Sequence, residues 1–383
     1  MRGINIYMKI LIVIDQFDNS NNGTTISARR FVKGLKDAGN EVYVISTGDK
    51  KDEYKFNLKE LPLLPGISHI IKSQGMSFAI PNTELLEKAI SGVDVVHFYM
   101  PFWLSKVGLK ICEKLHVPHT SAFHVQPENI TYTIGLGTKT KVNDMIYSHY
   151  RDSFFNKFTH IHCPSEFIAN ELKAHGYTAT LHVISNGVDE EFKYYEKKKL
   201  PEFKDKFVIT MIGRYSNEKR QDVLIDAISK SKYADKIQLV LAGKGPEEKK
   251  YRKLGEKLPI TPVMQFYDKE NLIKLLASTD LYVHSADAEI EAISCIEAFA
   301  CGNVPIIANS KNSATKQFAL VPESLFKAGD STDLANKIDF WIENEPYRKE
   351  MEIKYSESAE KYRLKDSIKK MEEMFLDAIR EYK

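Results

Sequence analysis

The run Lys9-Ile10-Leu11-Ile12-Val13-Ile14-Asp15 constrains the fold more than any other stretch of the chain. Consecutive apolar residues without alternation describe a strand covered on both faces, the environment of a parallel sheet. A polar loop from Gln16 to Thr25 follows. Ala28, Phe31, Val32 and Leu35 then recur at i, i+3, i+4 and i+7, one face of a helix. Gly39 reads as its stop, and Glu41 to Ser46 as the next strand. Strand, helix, strand is a βαβ unit and commits this part to a parallel sheet. The rhythm starts afresh at Phe207 to Ile212, after a lysine-rich stretch from Tyr194 to Asp205 that reads as a linker. Two successive α/β domains are predicted, and 383 residues suffice for both.

Composition acts by exclusion. Hydrophobic content of 43% and charged content of 28% fit a soluble globular chain. A net charge of +2 creates no field suited to nucleic acid, so no nucleic-acid partner is expected. Cys112, Cys163, Cys295 and Cys301 have no metal-ligand spacing and read as reduced, buried thiols of a cytoplasmic protein. No apolar run approaches the ~18 residues of a membrane span, and the start lacks a signal-peptide pattern. Met1 to Tyr7 precedes a second possible start at Met8 and is assigned no function. The first βαβ unit lacks G-x-G-x-x-G, which argues against a dinucleotide cofactor.

The chemistry concentrates in the second half. Glu289 and Glu297 stand eight positions apart, between the strand-like runs Leu281 to His284 and Val304 to Ala308, with a helix-like run ending at Gly302. Glu289 is expected on the loop leaving a strand and Glu297 in the first turn of the helix. Loops at the carboxyl ends of parallel strands are where open α/β sheets bind ligands. Ser294-x-x-Glu297 also fits a capping box, and that alternative stays open. Earlier, Gly213-Arg214 and Lys219 follow a strand and precede a helix. Arginine offers a planar fork and lysine a compact charge. Cations at a helix start are mildly unfavourable, which favours a bound anion there. Ile237 to Pro246 is a strand entering a glycine loop that either meets a ligand or simply turns.

In the first half, a strand after Pro118 ends near His124. Residues 61–82 are apolar and punctuated by proline, a pattern common in functional or packed loops. In residues 130–162, Tyr132, Tyr147, Tyr150, Phe154, Phe155 and Phe158 alternate with Lys139, Lys141, Arg151 and Lys157. That mixture suits a membrane interface or, equally, an ordinary amphipathic helix. Toward the end, Ser331 to Glu343, Pro346 to Ala359 and Ser367 to Tyr382 read as helices, with Ser331 and Ser367 as N-caps.

The pair Glu289 and Glu297 resembles the E-x7-E signature of retaining glycosyltransferases of the GT-B fold, glycosyltransferase family 4. Gly213-Arg214 with Lys219 resembles its G-R-x-x-x-E-K motif. Val183-Ile184-Ser185-Asn186-Gly187-Val188-Asp189 resembles its I-x-N-G-V-D segment, and Leu239 to Pro246 its glycine loop. The resemblance implies two Rossmann-like parallel-sheet domains facing across a cleft. Residues 1–188 would form the acceptor domain, with a final helix from about 365 to 383 returning to it. Residues 189–364 would form the donor domain.

The function so implied is that of a hexosyltransferase. It would move a sugar from a nucleotide-sugar, with UDP as the favoured nucleotide, into α-linkage on an acceptor. Diacylglycerol or a polyprenyl-linked saccharide for cell-surface polysaccharide would suit residues 130–158, at the inner face of the cell membrane. A soluble acceptor, or a non-catalytic nucleotide-sugar-binding subunit, is the alternative. Arg214 and Lys219 would stabilise the departing diphosphate, Glu297 would hold the ribose, Glu289 would orient the sugar, and His124 would support the reacting face. Gly23, Gly213, Ala292 and Ile293 complete the implied donor site. No D-x-D motif occurs in a plausible place, so no metal or other cofactor is expected. The chain departs from the family at Glu291-Ala292, where Phe-Gly is usual. Glu291 adds an acid beside the sugar and leaves the donor's identity open.

Overall fold

A computed structural model describes residues 7–18, 23–49, 52–64, 71, 75–137 and 140–382. The possible start at Met1, Asn22 beside Gly23, Lys139, and residues 65–70 and 72–74 of the apolar loop lie outside them. The chain divides into two compact units. The first comprises Met1–Pro127, Lys139–Gly187 and Leu364–Lys383, the second Glu128–Thr138 and Val188–Arg363.

The first unit carries a seven-stranded sheet. Its strands are β1 (Lys9–Gln16), β2 (Glu41–Thr47), β3 (Lys55–Leu58), β4 (Val95–Phe98), β5 (His119–Ala122), β6 (His160–Cys163) and β7 (Thr180–Val183), in the spatial order β3-β2-β1-β4-β5-β6-β7. All neighbouring pairs are parallel. Its helices are α1 (Gly23–Asp37), α2 (Thr83–Ile90), α3 (Trp103–Leu115), α4 (Pro127–Thr133, whose remainder joins the second unit), α5 (Thr140–Ser153) and α6 (Glu166–Ala174). Ile10 to Ile14 are all buried, as a strand covered on both faces requires. The apolar face of α1 enters a core shared with Ile368, Met371, Met374 and Phe375 of the last helix. Burying such side chains contributes roughly 1.5–3 kcal/mol each. Gly34 permits the approach, since a Cβ there would lie 2.5 Å from Ile368 Cδ1.

The second unit carries β8 (Phe207–Ile212), β9 (Ile237–Ala242), β10 (Val263–Gln265), β11 (Leu281–His284), β12 (Ala288–Glu289), β13 (Val304–Ala308), β14 (Asn312–Ser313) and β15 (Leu325–Phe326). Six form a parallel sheet in the order β10-β9-β8-β11-β13-β15, and β12 pairs with β14. Its helices are α7 (Gln221–Lys230), α8 (Glu248–Gly255), α9 (Lys269–Ser278), α10 (Ile293–Ala300), α11 (Ser331–Glu343) and α12 (Glu345–Ser358). The last helix, α13 (Leu364–Glu381), belongs to the first unit.

Four details differ from the sequence reading. Residues 128–138 pack with the second unit, where the Tyr132 hydroxyl donates to Asp287 Oδ2 at 2.8 Å. The lysine-rich stretch is no free linker: Lys197 Nζ donates to Asn303 Oδ1 at 2.9 Å, Lys199 pairs with Asp280, and Phe203 is buried. Helix α11 is capped by Asp330, whose carboxylate accepts from the Thr332 and Asp333 amides. Ser367 lies buried inside α13, which begins at Leu364. Asp330 wins the cap of α11 over the nearest serine, and long-range partners fix the first two stretches.

The aromatic stretch also resolves. Tyr147, Tyr150, Phe154, Phe155 and Phe158 are core residues of the first unit. Rings of this kind bury large apolar area and dominate the energetics of a core. The large apolar side chains left exposed in the stretch are Ile134 at 58% and Met145 at 72%, and α3 adds Trp103 at 54%. Among the described residues no helix is long and apolar enough to cross a membrane.

Candidate active site

The second sheet reverses its strand order between β8 and β11, and a crevice at such a switch point is the favoured ligand position in open α/β sheets. The residues singled out by spacing converge there, within the second unit. The loop after β8 carries Gly213, Arg214 and Lys219, and the segment after β11 carries Glu289. Lys219 Nζ forms an ion pair with Glu289 Oε1, with the two side chains 19% and 11% exposed. A carboxylate of this chain therefore sits against the cation before α7. Arg214 Nη2 lies 3.0 Å from Glu218 Oε1, and that oxygen also accepts from the Ser216 hydroxyl at 2.5 Å.

Burial pulls the Glu289 carboxyl up, but the Lys219 charge and the neighbouring His284 outweigh it and bring it down to about 2. His284 sits at the end of β11, with Nε2 3.2 Å from Glu289 Oε1, close but without the alignment of a hydrogen bond. Arg220 Nη1 donates to Asp287 Oδ2 at 3.0 Å, the oxygen that also receives the Tyr132 hydroxyl. Alternating charges thus line the loops at the switch point.

Helix α10 starts differently from the sequence reading. Its N-cap is Ala292, held in the left-handed conformation at φ 71°, ψ 74°. Ser294 is the second helical residue. Its hydroxyl donates to the Ile212 carbonyl and accepts from Tyr282. No capping box forms, and Glu297 lies in the second turn, buried. Ile293 opens the helix. Glu289 itself is in β12, paired with β14, rather than on an open loop. Glu291 is buried, and its charge reaches Tyr362, whose phenol is pushed up by burial and then by Glu291.

The glycine loop after β9 has a packing role. A side chain at Gly243 would strike the Gly213 carbonyl, and one at Gly245 would strike the Tyr215 backbone. Two loops therefore pack backbone to backbone, joined by Tyr215 N–H to the Lys244 carbonyl at 3.0 Å. Phe266 is 58% exposed with Lys244 Nζ 5.7 Å from its ring centre, an open aromatic surface.

In the first unit, Gly23 is the first residue of α1. His124 follows β5, is buried, and stacks on Tyr99 at 5.0 Å. Both its ring nitrogens lack a hydrogen-bond partner among the described residues, and burial holds it well below the usual imidazole range.

Sequence reasoning missed His284, gave Glu218 of the G-R-x-x-x-E-K motif no role, and missed the Tyr132–Asp287–Arg220 contact. A signal existed for the first: Tyr282 and His284 are two residues apart on one strand and so share a face. Nothing local signals the third, which joins residues 155 positions apart. All four cysteines are free and buried, and among the described residues no cluster of His, Cys, Asp and Glu could hold a metal ion.

The chain matches the family pattern Glycosyltransferase Family 4 over residues 21–192 and Glycosyl transferases group 1 over residues 193–362. An α-monoglucosyldiacylglycerol synthase of Streptococcus pneumoniae is 24% identical over 322 residues, 79% of this chain and 71% of that protein. The Anabaena protein HepE, solved in complex with UDP-glucose, superposes with a TM-score of 0.76 at 16% identity, over 97% of this chain and all of that one. A solved catalytic domain of the cholesterol-α-glucosyltransferase of Helicobacter pylori is 49% identical, with a TM-score of 0.40, over 41% of this chain and 98% of that one. The two family patterns together span residues 21–362, and the two parallel-sheet units fit them: the chain belongs to the group 1 glycosyl transferases of glycosyltransferase family 4 and is a hexosyltransferase of the GT-B fold.

Proposed function

We propose that this chain is a retaining transferase that moves a hexose from a UDP-sugar, in α-linkage, onto a hydroxyl of a membrane lipid. The observation that carries this reading is the Lys219–Glu289 ion pair at the switch point, with Arg214 on the same loop. As the glycosidic bond breaks, negative charge grows on the nucleoside diphosphate. Arg214 and Lys219 meet that charge, and preorganised donors of this kind contribute about 10²–10³-fold each to rate. Glu289, ionised far below neutral pH, accepts hydroxyls of the donor sugar. Glu297 accepts from the ribose, Phe266 offers a face to the base, and Gly213, Ala292 and Ile293 shape the backbone around the diphosphate. Glu291 supports the wall behind the sugar. We assign the donor to the second unit and the acceptor to the first, where His124 acts. The two cations do the work a divalent metal does in other transferases, so turnover is independent of one.

A lipid acceptor is supported by the named activity of the Streptococcus relative and by the exposed Trp103 and Met145 on the first unit. They are side chains of the kind that enter a bilayer interface. The protein then works as a peripheral enzyme on the inner face of the cell membrane.

The test is nucleoside diphosphate release from a panel of UDP- and GDP-hexoses in EDTA. Acceptors are vesicles carrying diacylglycerol, vesicles carrying a sterol, and a soluble saccharide. Release that is selective for one UDP-hexose and stimulated by lipid is expected, with an α-linked product by NMR. Release only with the soluble acceptor would replace the lipid reading, and a β-linked product would overturn retention. Donor binding without release from any pair would favour a non-catalytic subunit.

A further inference from the structure

Glu289 Oε1 is flanked on two sides: Lys219 pairs with it, and His284 Nε2 lies 3.2 Å away without a hydrogen bond, so the two contacts differ in kind. Lys219 comes from the loop after β8 and faces the proposed donor. His284 belongs to β11, lies behind the carboxylate and is 1% exposed. Its ring is fixed at the far edge: Tyr282 Oη is 3.2 Å from Nδ1, and the two rings stack at 6.1 Å. Tyr282 is itself fixed, since its hydroxyl donates to Ser294 Oγ at 3.2 Å and Ser294 donates to the Ile212 carbonyl at 3.3 Å. The chain of contacts starts at a backbone carbonyl of β8 and ends at the carboxylate. Tyr282 and His284 are buried, Ser294 and Ile212 are partly buried, and none is needed to cap α10.

We propose that His284, backed by Tyr282 and Ser294, is a positioning residue that locks the Glu289 carboxylate so that Oε2 meets the donor sugar in one orientation. The proposal rests on the donor-site reading given above and adds to it a residue that spacing did not single out. A carboxylate accepts hydrogen bonds at two oxygens. With Oε1 engaged by Lys219 and pressed by His284, Oε2 is the acceptor left for a sugar hydroxyl. Without His284 the carboxylate rotates about its terminal bond, which has a broad torsional preference. The sugar then loses its reference while the nucleotide keeps its own contacts. A misplacement of about 1 Å costs on the order of 10²-fold in rate.

The experiment compares wild type with His284→Leu, His284→Gln and Tyr282→Phe. It measures turnover of the preferred UDP-hexose, and calorimetric affinity for UDP and for the UDP-hexose, with thermal melts as a control on folding. His284→Leu is expected to bind UDP within about twofold of wild type, to bind the UDP-hexose about tenfold more weakly, and to lose about 10²-fold in kcat. His284→Gln places an amide near the position of Nε2 and is expected to recover most of that loss, with Tyr282→Phe intermediate. Equal weakening of UDP and UDP-hexose, or no recovery by Gln with a normal melt, would overturn the positioning role. So would turnover within threefold of wild type in His284→Leu. A wild-type protein that binds no sugar nucleotide would overturn the donor-site reading and this inference together, and is told apart by that control.

Discussion

The two units share one architecture and fill their switch points with opposite chemistry. In the second, the loops after β8 and β11 bring Arg214, Lys219 and Arg220 against Glu218, Glu289 and Asp287. In the first, the corresponding strands β1 and β4 end at Asp15, His97 and Tyr99, joined by His124 and His162. Burial holds His97 and His124 well below the usual imidazole range, and His162 at about 4. Burial pushes Asp15 up to about 7. One fold therefore presents fixed charge in one unit and buried neutral groups in the other. Fixed charge suits a diphosphate, and a neutral polar wall suits an uncharged hydroxyl acceptor.

The largest expected effect removes the charge. Lys219→Ala leaves Glu289 buried without its ammonium and should lower transfer by about 10²–10³-fold. Breaking one side of a buried pair also destabilises by about 3–5 kcal/mol, an upper figure here because both side chains keep some exposure. Diphosphate release within threefold of wild type would end the charge reading of the second unit. The neutral side is probed by His124→Phe, which keeps a ring against Tyr99. Turnover should fall about 10²-fold with UDP affinity unchanged. A fully active variant would make His124 a packing residue.

Acid separates the units next. The buried imidazoles stay neutral in the folded state, so their contribution is complete above about pH 6.5 and is lost as pH falls toward their lowered values. Asp15 acts with opposite sign between pH 7 and 4, but it is one group against His97, His124 and His162. Glu289, lowered from 4.5 to about 2, contributes fully above its ordinary value and is lost only below it. From pH 7.5 to 5.5 the first unit should lose about 5 °C of melting temperature while the second holds. Trp103 and Trp341, one in each unit, allow fluorescence melts of Trp341→Phe and Trp103→Phe to report them separately. Equal shifts would break the comparison. The smallest effect tests backbone strain in the charged site: Ala292→Gly should stabilise the second unit by about 1 kcal/mol, since glycine carries no Cβ penalty at positive φ. A lower melting temperature would show that Ala292 is needed for more than its turn.

Much of this was legible before any coordinates. The apolar runs of β1 and β8 and the helix periodicity of α1 dictate parallel α/β units, because a strand covered on both faces and a crossover helix admit few other arrangements. Arg214, Lys219 and Glu289 were legible because their spacing places them at strand ends. The aromatic stretch left two readings open: composition sets Tyr147, Phe154 and Phe155 among basic residues, but it does not say which side of the helix meets the core.

Sequence alone determined the fold class, the strand ends and the residue types gathered there, since each follows from periodicity and local spacing. Tertiary structure decided the rest. It set Lys219 against Glu289, placed His284 behind the carboxylate, carried Tyr132 to Asp287 and turned Ala292 left-handed in place of a Ser294 cap. The reason is that pairings between residues dozens to hundreds of positions apart depend on how strands are ordered in a sheet. Strand order is fixed by packing of the whole unit and leaves no local trace in the chain.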